Sequence, residues 1–173
     1  MKKLLFSVIF TAVSLFCVGR VSAIPNPWID CGGDISCGAK KAGFDFPIKV
    51  KNPDVRAMDG LMEITFPLDK KRNVTVRKSL MYGEFISEGG LQDISGDYNT
   101  YPVNKTIKIK DGVLFNVRGD KNKFKVASFA AESGYYSFSC EKGMKTGDLK
   151  YLYKLVEKAE APLPEPKKAN KNN

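Results

Sequence analysis

Side-chain oxygens recur at every second position in Asp93-Ile-Ser95-Gly-Asp97-Tyr-Asn99, a spacing with which a calcium loop presents its ligands. That loop also wants glycine at its sixth position and an acid at its twelfth. Counted from Asp93, those positions hold Tyr98 and Asn104. The same spacing also suits a hydrogen-bonded turn, in which Asp, Ser and Asn side chains bond the nearby backbone. Arg77-Lys78 opens the long segment leading to this run, and suits either an anionic ligand or a solvated strand end. Glu63, Glu84, Asp93 and Asp97 could supply carboxylates for acid–base hydrolysis. Tyr98, Tyr101, Tyr135 and Tyr136 could stack on a sugar or a base, although tyrosines favour strands for packing reasons alone. The chain has no histidine. Ser-His-Asp and Cys-His catalysis and every histidine-containing zinc site are therefore excluded. No catalytic, cofactor-binding or metal-ligating residue is assigned; the candidate ligand contacts are Arg77, Lys78, Asp93 and Asp97.

The elements that must position these groups are legible in the hydrophobic periodicity. Asp34 can cap a short helix through Ala42, with Ile35, Ala39 and Ala42 on one face and Gly43 as its stop. After Gly43 the pattern alternates, and Phe46–Lys51, Val55–Met58, Leu61–Phe66 and a stretch around Val74 and Val76 read as strands. Asp59-Gly60 is a hairpin signal. Residues 78–104 form a long polar connection with Gly83, Gly89, Gly90, Gly96 and Pro102, of a length expected to be functional or partly mobile. Strands follow at Ile107–Lys110, Val113–Val117, Phe124–Ala130 and Tyr135–Cys140, with turn signals between them. Tyr136, Phe138 and Cys140 share one face of the last. A closing helix capped by Thr146 carries Leu149, Leu152, Tyr153 and Val156 on one stripe, with Met144 placed as a hydrophobic staple. The expected fold is α+β: an antiparallel meander of about six to eight strands, with a short N-terminal helix and a C-terminal amphipathic helix packed on one face.

Residues 1–23 read as a secretory leader. Lys2 and Lys3 precede an apolar run from Leu4 to Val18, and Val21-Ser22-Ala23 ends it with small residues at the cleavage positions. Cleavage after Ala23 places the rest of the chain, one α+β domain over 24–161, in an extracytoplasmic compartment, periplasmic or secreted, without a membrane span. The run is shorter than the roughly 18 apolar residues of a span. Phe16 before Cys17 is too bulky for a lipid-modified cysteine. Loss of the leader lowers the formal charge from +9 to +6, since its only charges are Lys2, Lys3 and Arg20. Cys31, Cys37 and Cys140 then remain. A disulfide between Cys31 and Cys37 is expected, with Cys140 reduced and buried; the competing pairing joins Cys140 to one of the other two. Residues 162–173, rich in Pro, Lys and Asn, are expected to be disordered. Asn73-Val-Thr75 and Asn104-Lys-Thr106 match the glycosylation sequon, relevant only in a eukaryotic secretory pathway.

Asn26-Pro-Trp28, Ala39-Lys-Lys-Ala-Gly-Phe44, Met58-Asp-Gly-Leu-Met-Glu-Ile64, Val76-Arg-Lys-Ser79, Asp93-Ile-Ser-Gly-Asp-Tyr98 and Gly134-Tyr-Tyr-Ser137 occur in that order. Together with the closing helix they resemble the DUF4367-type domain of secreted proteins from anaerobic Firmicutes. The cysteines and the Pro-Lys tail depart from that pattern. The resemblance implies an extracytoplasmic domain and carries no catalytic residue. The function expected on all these grounds is a non-catalytic binding module for a protein, a peptide or an envelope polymer. The alternative is a histidine-free, carboxylate-dependent hydrolase acting on such a polymer. Nucleic acid is not expected as a partner, because no binding module for it is present.

Overall fold

A computed structural model describes residues 26–80, 85–86, 92–109 and 112–160. The leader, Glu84 and the tail 162–173 lie outside them. Helix α1 (Ile35–Ala42) forms where the sequence places it. Asp34 Oδ1 accepts the backbone N–H groups of Ser36 and Cys37 at 2.8 and 3.1 Å, and Gly43 donates to the Ala39 carbonyl at 2.9 Å. A Cβ at Gly38 would strike Val55 and Met62, so the absent side chain is what lets α1 lie flat on the sheet.

Among the described residues ten strands follow the chain: β1 (Ile29–Gly32), β2 (Asp54–Met58), β3 (Leu61–Pro67), β4 (Asn73–Ser79), β5 (Phe85–Ile86), β6 (Gln92–Asp93), β7 (Val103–Lys108), β8 (Leu114–Asp120), β9 (Lys123–Ala131) and β10 (Gly134–Met144). Eight of them make one antiparallel sheet in the order β1-β2-β3-β4-β10-β9-β8-β7, and β5 pairs with β6 separately. The sheet is thus two four-stranded meanders, joined where β4 meets β10. Helix α2 (Thr146–Glu160) returns over the face that also receives α1.

Strand alternation sorts the sheet into two unlike faces. Val55, Ala57, Met62, Ile64, Val76, Phe115, Val117, Ala127, Phe129, Tyr136 and Phe138 are buried toward the helices, where Leu149, Leu152 and Val156 of α2 complete the core. Phe129 stacks on Tyr136 at 4.9 Å between centroids, and Tyr153 of α2 meets Phe115 and Phe129 edge-on. Cys140 joins this core, as its spacing with Tyr136 and Phe138 predicts.

Strand β1, the short β5–β6 pair and the start of β7 at Val103 are not expected from the sequence, the last three falling within what reads as one long connection. Three further details differ from the sequence reading. Residues 46–51 are not a strand: Phe46 and Ile48 are buried, but Ile48 donates to the Phe46 carbonyl at 2.8 Å across Pro47, a tight turn rather than a ladder. The alternation there records burial, not pairing. Strand β10 runs on to Met144 through a register irregularity after Ser139. Thr146 is the first residue of α2 rather than its cap; Asp148 Oδ2 instead reaches back to the Lys145 N–H at 2.8 Å.

Candidate functional site

The face away from the helices is crossed by one row of polar residues. Cross-strand partners run Asp30, Arg56, Glu63, Arg77, Ser137, Ser128, Asn116 and Thr106, one from each of the eight strands. Glu63, Ser137, Ser128 and Asn116 are buried. Buried polar groups are costly unless bonded, and the segment over 93–101 supplies much of the cover. It leaves β6, which lies against β9 and β10, and crosses the row as a strap.

The strap is held by one arginine from each meander, Arg77 of β4 and Arg118 of β8. Arg77 donates to Glu63 Oε2 at 2.6 Å and to the Ile94 carbonyl at 3.1 Å. Arg118 donates to the Asp93 carboxylate, to Ser95 Oγ at 3.3 Å and to the Asp97 carbonyl at 2.8 Å. Ser128 Oγ donates to Asp93 Oδ1 at 3.1 Å. Within the strap the alternating oxygens are spent locally. Asp93 Oδ1 accepts the Ser95 N–H, Ser95 Oγ the Asp97 N–H, and Asp97 Oδ1 the Asn99 N–H, at 2.8, 3.1 and 2.8 Å. The every-second-residue spacing is therefore a chain of consecutive turns. Gly96, with φ of 67°, passes so close over the Arg77 guanidinium that a Cβ would collide with it. Trp28 closes the other end of the row, its ring 5.5 Å from the Arg56 guanidinium and 5.3 Å from that of Arg77.

Beyond the Arg118 anchor the strap stands off the sheet and leaves an open cleft of about 540 Å³. Asp97, Asn99 and Tyr101 form its strap side. Asn73, Thr75, Lys125, Ser139 and Glu141 contribute from β4, β9 and β10. Tyr101 donates its hydroxyl to Asp97 Oδ2 at 2.7 Å, and Asn99 Nδ2 donates to Oδ1 at 2.8 Å. Burial pushes the Asp97 carboxyl up, but the hydrogen bonds from Asn99 and Tyr101, with Arg118 nearby, outweigh it and hold the group below the usual carboxylate range. Among the described residues, the side chains of Asn73, Ser139 and Glu141 have no protein partner.

The four candidate contacts do not share a location. Asp97 lines the cleft. Arg77 and Asp93 lie under the strap and anchor it. Lys78, adjacent to Arg77 in β4, necessarily points to the opposite face. There its ammonium donates to Glu160 Oε1 at 2.7 Å and to the Asp45 carbonyl at 3.2 Å, among the rings of Phe44, Phe46 and Tyr136. Nor do the tyrosines make one platform: Tyr136 is core, Tyr98 is exposed, and Tyr101 is tied to Asp97. Thr75, Lys125, Ser139 and Glu141 escaped the sequence reading because each sits in an ordinary alternating strand. Only the register, Thr75 opposite Ser139, brings them together. Cys31 and Cys37 are at disulfide distance, with Sγ atoms 2.11 Å apart, and Cys140 is free and buried.

No family model, curated protein or solved structure matches the chain. Among the described residues no helix is long and apolar enough to cross a membrane.

Proposed function

We propose that this chain is a non-catalytic extracytoplasmic binding module, and that its ligand, a protein, peptide or envelope polymer, sits in the cleft between the strap and the sheet. The observation that carries this reading is the cleft itself: about 540 Å³, open, and lined by side chains that both donate and accept. That volume falls within the usual range of small-ligand sites. Export rests on the leader's layout, and a disulfide-distance pair at Cys31 and Cys37 fits an oxidising compartment.

The carboxylates weigh against hydrolysis. A general acid at neutral pH needs a raised pKa, whereas Asp97 is held low. Glu63 is clasped by Arg56 and Arg77, and Asp93 by Arg118. Glu63 and Asp93 are thereby engaged in holding structure rather than poised over open space. Screening immobilised glycans and peptides with the protein tests the reading. Binding that falls at least tenfold in Asp97→Ala is expected; binding unchanged in that variant, with retained fold, would move the site elsewhere.

A further inference from the structure

We infer that the cleft takes a polyhydroxylated saccharide, uncharged or amine-bearing, and rejects polyanions; this rests on the cleft being the binding site. The chain is basic, with a formal charge of +9, and such a charge taken alone points to an anionic partner. The cleft reverses that sign locally. It carries the carboxylates of Asp97 and Glu141 against the single ammonium of Lys125. That ammonium is already engaged, donating to the Glu141 carbonyl and lying 3.9 Å from the Asp120 carboxylate. A phosphate or carboxylate entering the cleft meets two fixed negative charges and no uncommitted cation among its lining residues.

An extended peptide fares no better on the cleft floor. Peptides that dock on sheets gain their affinity from main-chain hydrogen bonds at an exposed edge. Here the floor is interior sheet. Thr75 is paired with Thr65 on one side and Ser139 on the other, and Ser139 is paired in turn with Val126. At Thr75 and Ser139 the ladder engages the backbone, and the Glu141 carbonyl is taken by Lys125, so the floor offers a ligand mainly side chains. Those side chains suit hydroxyl groups. The Asn73 amide and the Ser139 hydroxyl each donate and accept, the Glu141 carboxylate accepts, and all three lack a partner among the described residues. The Tyr101 hydroxyl, whose hydrogen is donated to Asp97, can still accept. A sugar hydroxyl that donates to a carboxylate while accepting from an amide satisfies both ends of such a site, and a ring amine would add charge pairing with Glu141.

Amide NMR spectra of isotope-labelled protein titrated with trimers of glucosamine, N-acetylglucosamine and glucose, with polyglutamate, and with a mixed-sequence decapeptide test this. Expected are saturable shifts from at least one saccharide, confined to residues 73–75, 97–101 and 139–141, and no shifts there from polyglutamate. Ser139→Val and Glu141→Gln, at positions without a structural partner, should each weaken that saccharide about fivefold, the scale of one hydrogen bond. Cleft shifts from polyglutamate or the peptide alone would overturn the ligand class while leaving the binding site in place. A cleft unmoved by every probe would overturn the binding site as well.

Discussion

Lys78 is only 3 % exposed, and its neutralisation depends on one residue at the far end of α2. Glu160 supplies the counter-charge at 2.7 Å, and the Phe44, Phe46 and Tyr136 faces supply cation–π contacts at 5.1 to 5.9 Å. Removing one partner of a buried pair costs far more than replacing the charge with an apolar group of similar shape. Glu160→Ala should therefore cost about 3 kcal/mol in urea unfolding, and Lys78→Met about 1 kcal/mol or less. Equal costs would contradict the pairing. Arg72 plays a comparable part on the surface, holding Asp148 through two bonds of 2.7 and 3.2 Å. The Arg72 guanidinium keeps the Asp148 carboxyl below its ordinary range against the opposing effect of burial, with help from the Lys145 N–H. A folded-state pKa lower than the unfolded value means that the pair stabilises the fold above about pH 4 and ceases to do so as pH falls further. Asp148→Asn should cost about 1 kcal/mol at pH 7, with the difference from wild type vanishing toward pH 2. A gap that widens in acid would refute that sign. The polar alternation of β4 was readable from the sequence, but the fate of Lys78 was not. An ammonium on a core face looks like a solvated one until the partner 82 positions away is known.

Among the elements, the strap depends on Gly96. Its backbone at φ of 67° is one that side chains seldom adopt, and the guanidinium of Arg77 fills the space a Cβ would need. Gly96→Ala should destabilise by about 1 to 2 kcal/mol and loosen the strap. Hydrogen exchange should show this as lost protection over 93–101, with β8 to β10 unchanged; uniform loss across the sheet would mean that the strap and the sheet unfold together. Loop and helix meet at the other end of the chain through Cys31 and Cys37. So short a covalent loop contributes about 2 to 3 kcal/mol on the chain-entropy account. Non-reducing peptide mapping should recover Cys31 linked to Cys37 with Cys140 as a free thiol, and a cross-linked Cys140 peptide would contradict the structure. The Asp34 cap, the hairpin turns and the α2 stripe were legible because they are local, whereas the start of α2 was placed one residue late. The strap was not: its Asp-Ser-Asp spacing serves turns and metal loops alike, and Arg118, which secures it, lies 25 residues on.

For the whole molecule, the joining of two meanders at β4 and β10 is what creates the face that carries the cleft. It sets Arg77 opposite Ser137 and Thr75 opposite Ser139, extending a polar row across all eight strands and giving the cleft its floor. Alternation predicted that each strand has a polar side, and so the α+β architecture with its helices on the other face. Which strand sits beside which is a matter of non-local pairing, and no local pattern announces it. As proposed, this face binds without cutting. The direct test is to incubate the protein in molar excess over the tightest saccharide found by titration, for a day at neutral pH, and weigh the ligand by mass spectrometry. Full recovery of the saccharide at its starting mass is the predicted result. Shortened products that form with wild-type protein and are absent with Asp97→Ala would contradict it.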